Sequence, residues 1–137
     1  PVTLKYLGLQ SSTASTGAAV TSNNINLLAH IISAEAKGES YAGMVAVGAV
    51  ILNRVKHPSF PNTIAGVVYQ PGAFSPVDNG SINQEPVPAA YNAARDALNG
   101  SDPSGGAIYF YNPAKTTNAW LRSRPVTCTI GSHTFAK

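Results

Sequence analysis

The stretch from Asn24 to Val55, NINLLAHIISAEAKGESYAGMVAVGAVILNRV, limits the possible folds more than any other part of the chain. Ile25, Leu28 and Ile32 form an apolar stripe at helical spacing, and Glu35 continues it. The spacing therefore predicts a helix with Glu35 on or beside its inward face, near its end. Gly38 is the expected stop. Ser40 has the chemistry of an N-cap for a second element, Tyr41 to Val55, in which nearly every residue is apolar or small. A helix that is apolar all round is a buried one. The β-branched content of VAVGAVIL allows a strand as the competing reading, but the length of the run and its alanines favour a helix. The run is too short to span a bilayer and is bounded by Glu39 and Arg54. The expected centre is a helix pair with a carboxylate at its elbow.

A carboxylate on an apolar face is costly when ionised and unpaired, so its pKa rises. A general acid working near neutral pH needs that shift. The alternative is structural: Glu35 caps the helix, pairs with Lys37 or faces water.

A chain of 137 residues makes one domain the natural count, and 44% hydrophobic residues can build its core. Only 11% of residues are charged, so Tyr, Asn, Ser and Thr supply much of the polar surface. Such a surface suits an uncharged polymer such as a glycan. A net charge of +3, scattered along the chain, gives no case for nucleic acid, though it suits anionic cell-wall polymers. With Cys128 as the single cysteine, no internal disulfide forms.

Residues 10–23, QSSTASTGAAVTSN, read as a flexible linker, with an upstream module expected before it and the compact domain starting near Asn24. HPSFPN (57–62) is a loop, and Thr63 can cap a short helix over IAGVVYQ. Residues 71–84 are rich in turn formers and read as one long loop presenting Phe74, Ser75, Asp78, Asn79 and Ser81. Phe74 either serves a site there or tucks into the core. Pro86 to Asn99 reads as a helix stopped by Gly100. AIYFY (107–111) reads as a strand, and residues 112–124 connect it onward past Trp120. PVTCTI and HTFA form a hairpin around Gly131-Ser132. The sum is an α+β domain, a helical body followed by a small antiparallel sheet near the C-terminus.

The acidic residues are Glu35, Glu39, Asp78, Glu85, Asp96 and Asp102. No second carboxylate stands out as a partner for two-carboxylate glycoside hydrolysis. His30, His57, His133 and Cys128 show no metal-ligand spacing. No GxSxG elbow and no glycine-rich phosphate loop is present. The residues alone thus indicate a single carboxylate beside Tyr, Asn and Trp.

The series AEAKGE (34–39), AVGAVILNRV (46–55), FPNTIAGVVYQPGAFSPVDNGSI (60–82), YFYNP (109–113) and RPVTCTIGSHTF (124–135) resembles the catalytic domain of the spore cortex-lytic enzymes, the SleB/CwlJ family of cell-wall hydrolases. The likeness covers roughly residues 24–137 in one order. PVTLKYLGL (1–9) is similar to the end of a peptidoglycan-binding repeat, so residues 1–23 are expected to be a remnant of such a module plus linker, and 24–137 the catalytic domain.

The resemblance implies a lysozyme-like domain related to lytic transglycosylases. It implies action on spore-cortex peptidoglycan containing muramic-δ-lactam during germination, outside the cytoplasm of an endospore former. Glu35 would be the acid/base, at the family's E-A-[RK]-G-E motif, where this chain carries Lys37 in place of the usual arginine. That keeps the charge and loses any bidentate contact. No cofactor, metal, nucleic acid or membrane span is expected, and the chain is expected to act as a monomer. Phe74, Ser75, Tyr111, Asn112 and Trp120 are the expected substrate-binding residues, gathered near Glu35. Glu39 has two readings: stabilising charge on the sugar, or accepting backbone N–H bonds at the start of the second helix, the favoured one. The competing functions are a peptidoglycan hydrolase, either a muramidase or an N-acetylmuramoyl-L-alanine amidase, and a non-catalytic peptidoglycan-binding module.

Overall fold

A computed structural model describes residues 19–137. Residues 1–9 and most of the expected linker lie outside the described residues. The first helix, α1 (Ser22–Ala36), starts two residues before the expected Asn24, because the Thr21 hydroxyl caps it by accepting from Asn24 N at 3.2 Å. A short turn, in which Glu39 N donates to Ala36 O at 2.9 Å, leads into α2 (Tyr41–Lys56). Ser40 Oγ caps α2 by accepting from Gly43 N at 3.2 Å.

Every α2 residue from Gly43 to Leu52 is buried, which settles the helix-or-strand ambiguity in favour of the helix. A buried element surrounded by helices needs no sheet partner, because its backbone bonds are all internal. At Gly48 a Cβ would stand 2.9 Å from Ile32 Cδ1 and 3.1 Å from Ala97 Cβ, so three helices converge there on the bare backbone. The third is α5 (Pro88–Leu98), which buries Ala90, Ala93, Ala94 and Ala97. It begins at Pro88, two residues after the expected Pro86, with the proline in the first turn where its missing N–H costs nothing.

Between them, α3 (Ile64–Val68) is capped by Thr63 Oγ1, which accepts from Gly66 N at 2.9 Å. Residues 71–84 are not the irregular loop expected. They hold a one-turn helix, α4 (Ser75–Asn79), and a 3-10 turn, Ser81–Asn83. Pro76 stands in the first turn of α4, Gly80 at φ +84 ends it, and Asn79 Oδ1 accepts from Ser81 N at 2.9 Å.

The sheet has the order β1-β3-β2, antiparallel throughout, from β1 (Tyr109–Tyr111), β2 (Val126–Ile130) and β3 (His133–Ala136). Tyr111 pairs with Thr134 and Tyr109 with Ala136. The strand expected over 107–111 is shorter, since Asn53 Nδ2 takes Ala107 O and Arg54 Nε takes Ile108 O. The connection 112–124 contains a further short helix, α6 (Ala119–Arg122). The sheet therefore lies along α2. Its hairpin end is at the elbow between α1 and α2, where the Ile130 side chain approaches Gly43. Its other end is at Asn53 and Arg54.

Candidate active site

Glu35 occupies the last turn of α1, half-buried between buried Ile31 and Ile32 on one side of the sequence and Ala36 on the other. Burial pushes its carboxyl above the ordinary glutamate range. Among the described residues no side chain or backbone group hydrogen-bonds or pairs with it. Lys37 is exposed, and the Glu35–Lys37 pair weighed from the sequence does not form.

Glu39 is set up in the opposite way. Its Oε1 accepts from Ser132 N at 3.0 Å, and that bond holds its carboxyl below the ordinary range. The acceptor role expected at the start of α2 is therefore corrected. Ser40 caps that helix, and Glu39 instead ties the elbow to the hairpin turn of the sheet. Gly131 makes this possible: it takes φ +57, and a Cβ there would collide with Glu39 Oε1. Two carboxylates four residues apart thus have opposite tendencies, one toward the protonated form and one toward the ionised form.

The five other expected site residues differ in their surroundings. Phe74 is 5% exposed and stacks on Phe110 at 6.4 Å between centroids, so it belongs to the core. Ser75 is exposed at the first position of α4. Tyr111 stands at the hairpin end of β1, paired with Thr134, the strand neighbour of His133. Asn112 follows it and shapes a turn, its Oδ1 accepting from Ala114 N at 2.9 Å. Trp120 lies toward the other end. It is 56% exposed, meets the Tyr109 ring edge-on at 5.3 Å, and carries the Arg124 guanidinium over its face at 5.2 Å. Tyr109 in turn faces Arg54, near the C-terminus of α2. From Tyr41 to Arg54 that helix rises about 20 Å.

Two residues were not singled out from the sequence. Arg54 is half-buried, with its guanidinium carbon 4.9, 5.5 and 5.6 Å from the ring centroids of Phe60, Phe74 and Tyr109. An arginine that ends an otherwise apolar helix was the available signal. His133, weighed only as a metal ligand, is buried among aromatic rings beside the elbow. Its alternation within HTFA marked it as inward or outward without saying which. Among the described residues no three His, Cys, Asp or Glu side chains come together as a metal site, and no helix is long and apolar enough to cross a membrane.

A family profile described as Cell Wall Hydrolase matches residues 38–136, beginning three residues after Glu35. The spore cortex-lytic enzyme of Halalkalibacterium halodurans is 48% identical over 118 residues, which is 86% of this chain and 36% of that protein. The chain spans less than half the length of this and the other spore cortex-lytic enzymes it matches. The crystal structure of the catalytic domain of the Bacillus cereus SleB protein superposes with a TM-score of 0.81 at 47% identity, covering 85% of this chain and 91% of that one. The catalytic domain of SleB from Bacillus anthracis, described as a germination-specific lytic transglycosylase, matches with the same TM-score at 46% identity, over 85% of this chain and 96% of that one. The helical body with its three-stranded sheet is thus the architecture of those catalytic domains.

Proposed function

The chain belongs to the cell wall hydrolase family, and from that premise we propose that it is a peptidoglycan lytic transglycosylase with Glu35 as its single acid/base. The observation that carries this reading is the state of Glu35: a half-buried carboxyl, raised by desolvation, with no partner among the described residues. A structural glutamate is normally paired, and a binding module gains nothing from an unpaired one.

The chemistry needs one such group. Protonated Glu35 gives its proton to the oxygen linking N-acetylmuramic acid to N-acetylglucosamine. The bond from that oxygen to the muramic C1 breaks, and positive charge develops on the sugar ring. The carboxylate left behind takes the proton of the muramic O6 hydroxyl as O6 bonds to C1. A 1,6-anhydro ring closes, and Glu35 returns to its starting state. Protons and electron pairs balance without a nucleophile from the protein and without water.

The substrate in this reading is spore-cortex peptidoglycan, cleaved outside the cytoplasm during germination. The names of the matched relatives support the cortex substrate and the link to germination. Tyr111 and Asn112 serve the sugar nearest the elbow, and exposed Trp120 serves sugars farther along the strand. Phe74 acts from the core by supporting Phe110, and Ser75 presents its hydroxyl at the start of α4.

Substitution tests the assignment of Glu35. Glu35→Gln preserves shape and removes the titrating group, so turnover of cortex fragments is expected to fall by a factor of about 10³ or more, in the upper part of the range for one acid/base group because this one acts twice. Activity within tenfold of the parent, with an unchanged circular dichroism spectrum, would contradict it.

A further inference from the structure

We infer that His133 is a substrate-binding residue of this site, its neutral ring donating from Nε2 to an acetamido carbonyl oxygen of the bound glycan. The inference rests on the glycan reading above and adds to it a residue that the acid/base chemistry does not use.

The ring's two nitrogens are unequally placed. His133 is 7% exposed, and Nδ1 is sealed from solvent without a hydrogen-bond partner, the one such side-chain atom among the described residues. Nε2 has no partner among the described residues either, yet it is not sealed. A neutral imidazole has one donor nitrogen and one acceptor nitrogen. A buried N–H with nothing to bond is costlier and rarer than a buried bare acceptor. The proton of the neutral ring therefore sits on Nε2, and the ring presents one donor at its open edge.

That donor is held in place. Phe110 meets the ring at 5.1 Å and 66°, and Phe135 at 6.2 Å and 84°, so two phenyl rings confine it. The backbone on one side, Ser132, is bonded to Glu39, and on the other side Thr134 pairs with Tyr111. The charged groups felt at the ring are Glu39 and Lys115, of opposite sign, while burial favours the neutral form. A fixed, uncharged donor beside aromatic rings suits an uncharged acceptor attached to an apolar group. An acetamido group has that form, a carbonyl oxygen carried with a methyl.

The direct test observes the ring nitrogens. The Glu35→Gln protein, labelled with ¹⁵N-histidine, is titrated with a peptide-free tetrasaccharide of alternating N-acetylglucosamine and N-acetylmuramic acid, and separately with the same tetrasaccharide after de-N-acetylation. The free protein is expected to show His133 protonated at Nε2 and bare at Nδ1. The acetylated sugar is expected to shift Nε2 and slow exchange of its proton, and the deacetylated sugar to leave both unchanged. A proton on Nδ1, or sugar binding that moves other resonances but not His133, overturns the inference and leaves the glycan reading standing. Binding of neither sugar removes both.

Kinetics supply a second arm. His133→Phe keeps the volume and removes the donor, so KM is expected to rise about tenfold, the size of one hydrogen bond. The same variant should keep kcat within about threefold, and His133→Gln, which places an N–H near the Nε2 position, should recover most of the loss. A fall in kcat at unchanged KM, or no recovery with glutamine, counts against the proposal.

Discussion

At the scale of single residues, Glu35 and Glu39 differ in what surrounds each carboxylate, and that difference gives pH dependences of opposite sign. Glu35 has a raised pKa in the folded chain, so the folded state holds its proton more tightly than the unfolded one. Its effect on stability is therefore unfavourable above the folded pKa and vanishes below the unfolded value of about 4.3. Glu35→Gln is expected to melt at the same temperature or a few degrees higher at pH 7, with the difference disappearing near pH 4. A lower melting point at pH 7 would mean that the carboxylate has a stabilising partner. Glu39 has a lowered pKa, because Ser132 N bonds the ionised form. Its contribution is complete above the unfolded value and is lost as pH falls through the folded one. Glu39→Gln is expected to cost about 1 kcal/mol at pH 7, roughly 3 °C in Tm, while turnover stays measurable. Full stability with activity lost as completely as in Glu35→Gln would place Glu39 in the chemistry.

At the scale of elements, what could be read from the sequence depended on length and on caps. Helices α1, α2 and α5 carry stripes or alanine runs long enough to show their period, and Ser40 and Thr63 cap the elements that their positions indicated. The five residues of α4 and the four of α6 are too few to show a period, so both read as loop. The residues of α4, SPVDN, are mostly turn formers in either case. The bond from Glu39 to Ser132 joins residues 93 positions apart, and no local pattern encodes it. The candidate site was legible at Glu35, where an acid interrupts an apolar stripe. It was not legible at His133, whose ring environment is made by β1 and β3 together. Gly48 shows how closely the long helices depend on one another. Gly48→Val would force side-chain atoms into Ile32 and Ala97, and is expected to cost about 2 kcal/mol in a denaturant melt with an unchanged m-value. No loss of stability would mean that the three helices are more loosely packed than described.

At the scale of the whole molecule, α2 is the ruler along which the proposed site is laid out. Its N-terminal end meets the elbow, the hairpin turn and His133. Its C-terminal end, at Arg54, meets Tyr109 and through it exposed Trp120. In the proposed reading a glycan strand lies along this direction, with cleavage at the Glu35 end and stacking at the other. In the proposed mechanism one carboxylate both gives and takes the proton, so that the muramic O6 rather than water attacks C1. Mass analysis of the fragments released from purified spore cortex tests this most directly. Muropeptides ending in 1,6-anhydromuramic acid, one water lighter than hydrolysed ends, and their absence with Glu35→Gln, are expected. Hydrolysed reducing ends from the parent protein, freed peptides, or anhydro ends from Glu35→Gln at a near-parental rate would contradict it.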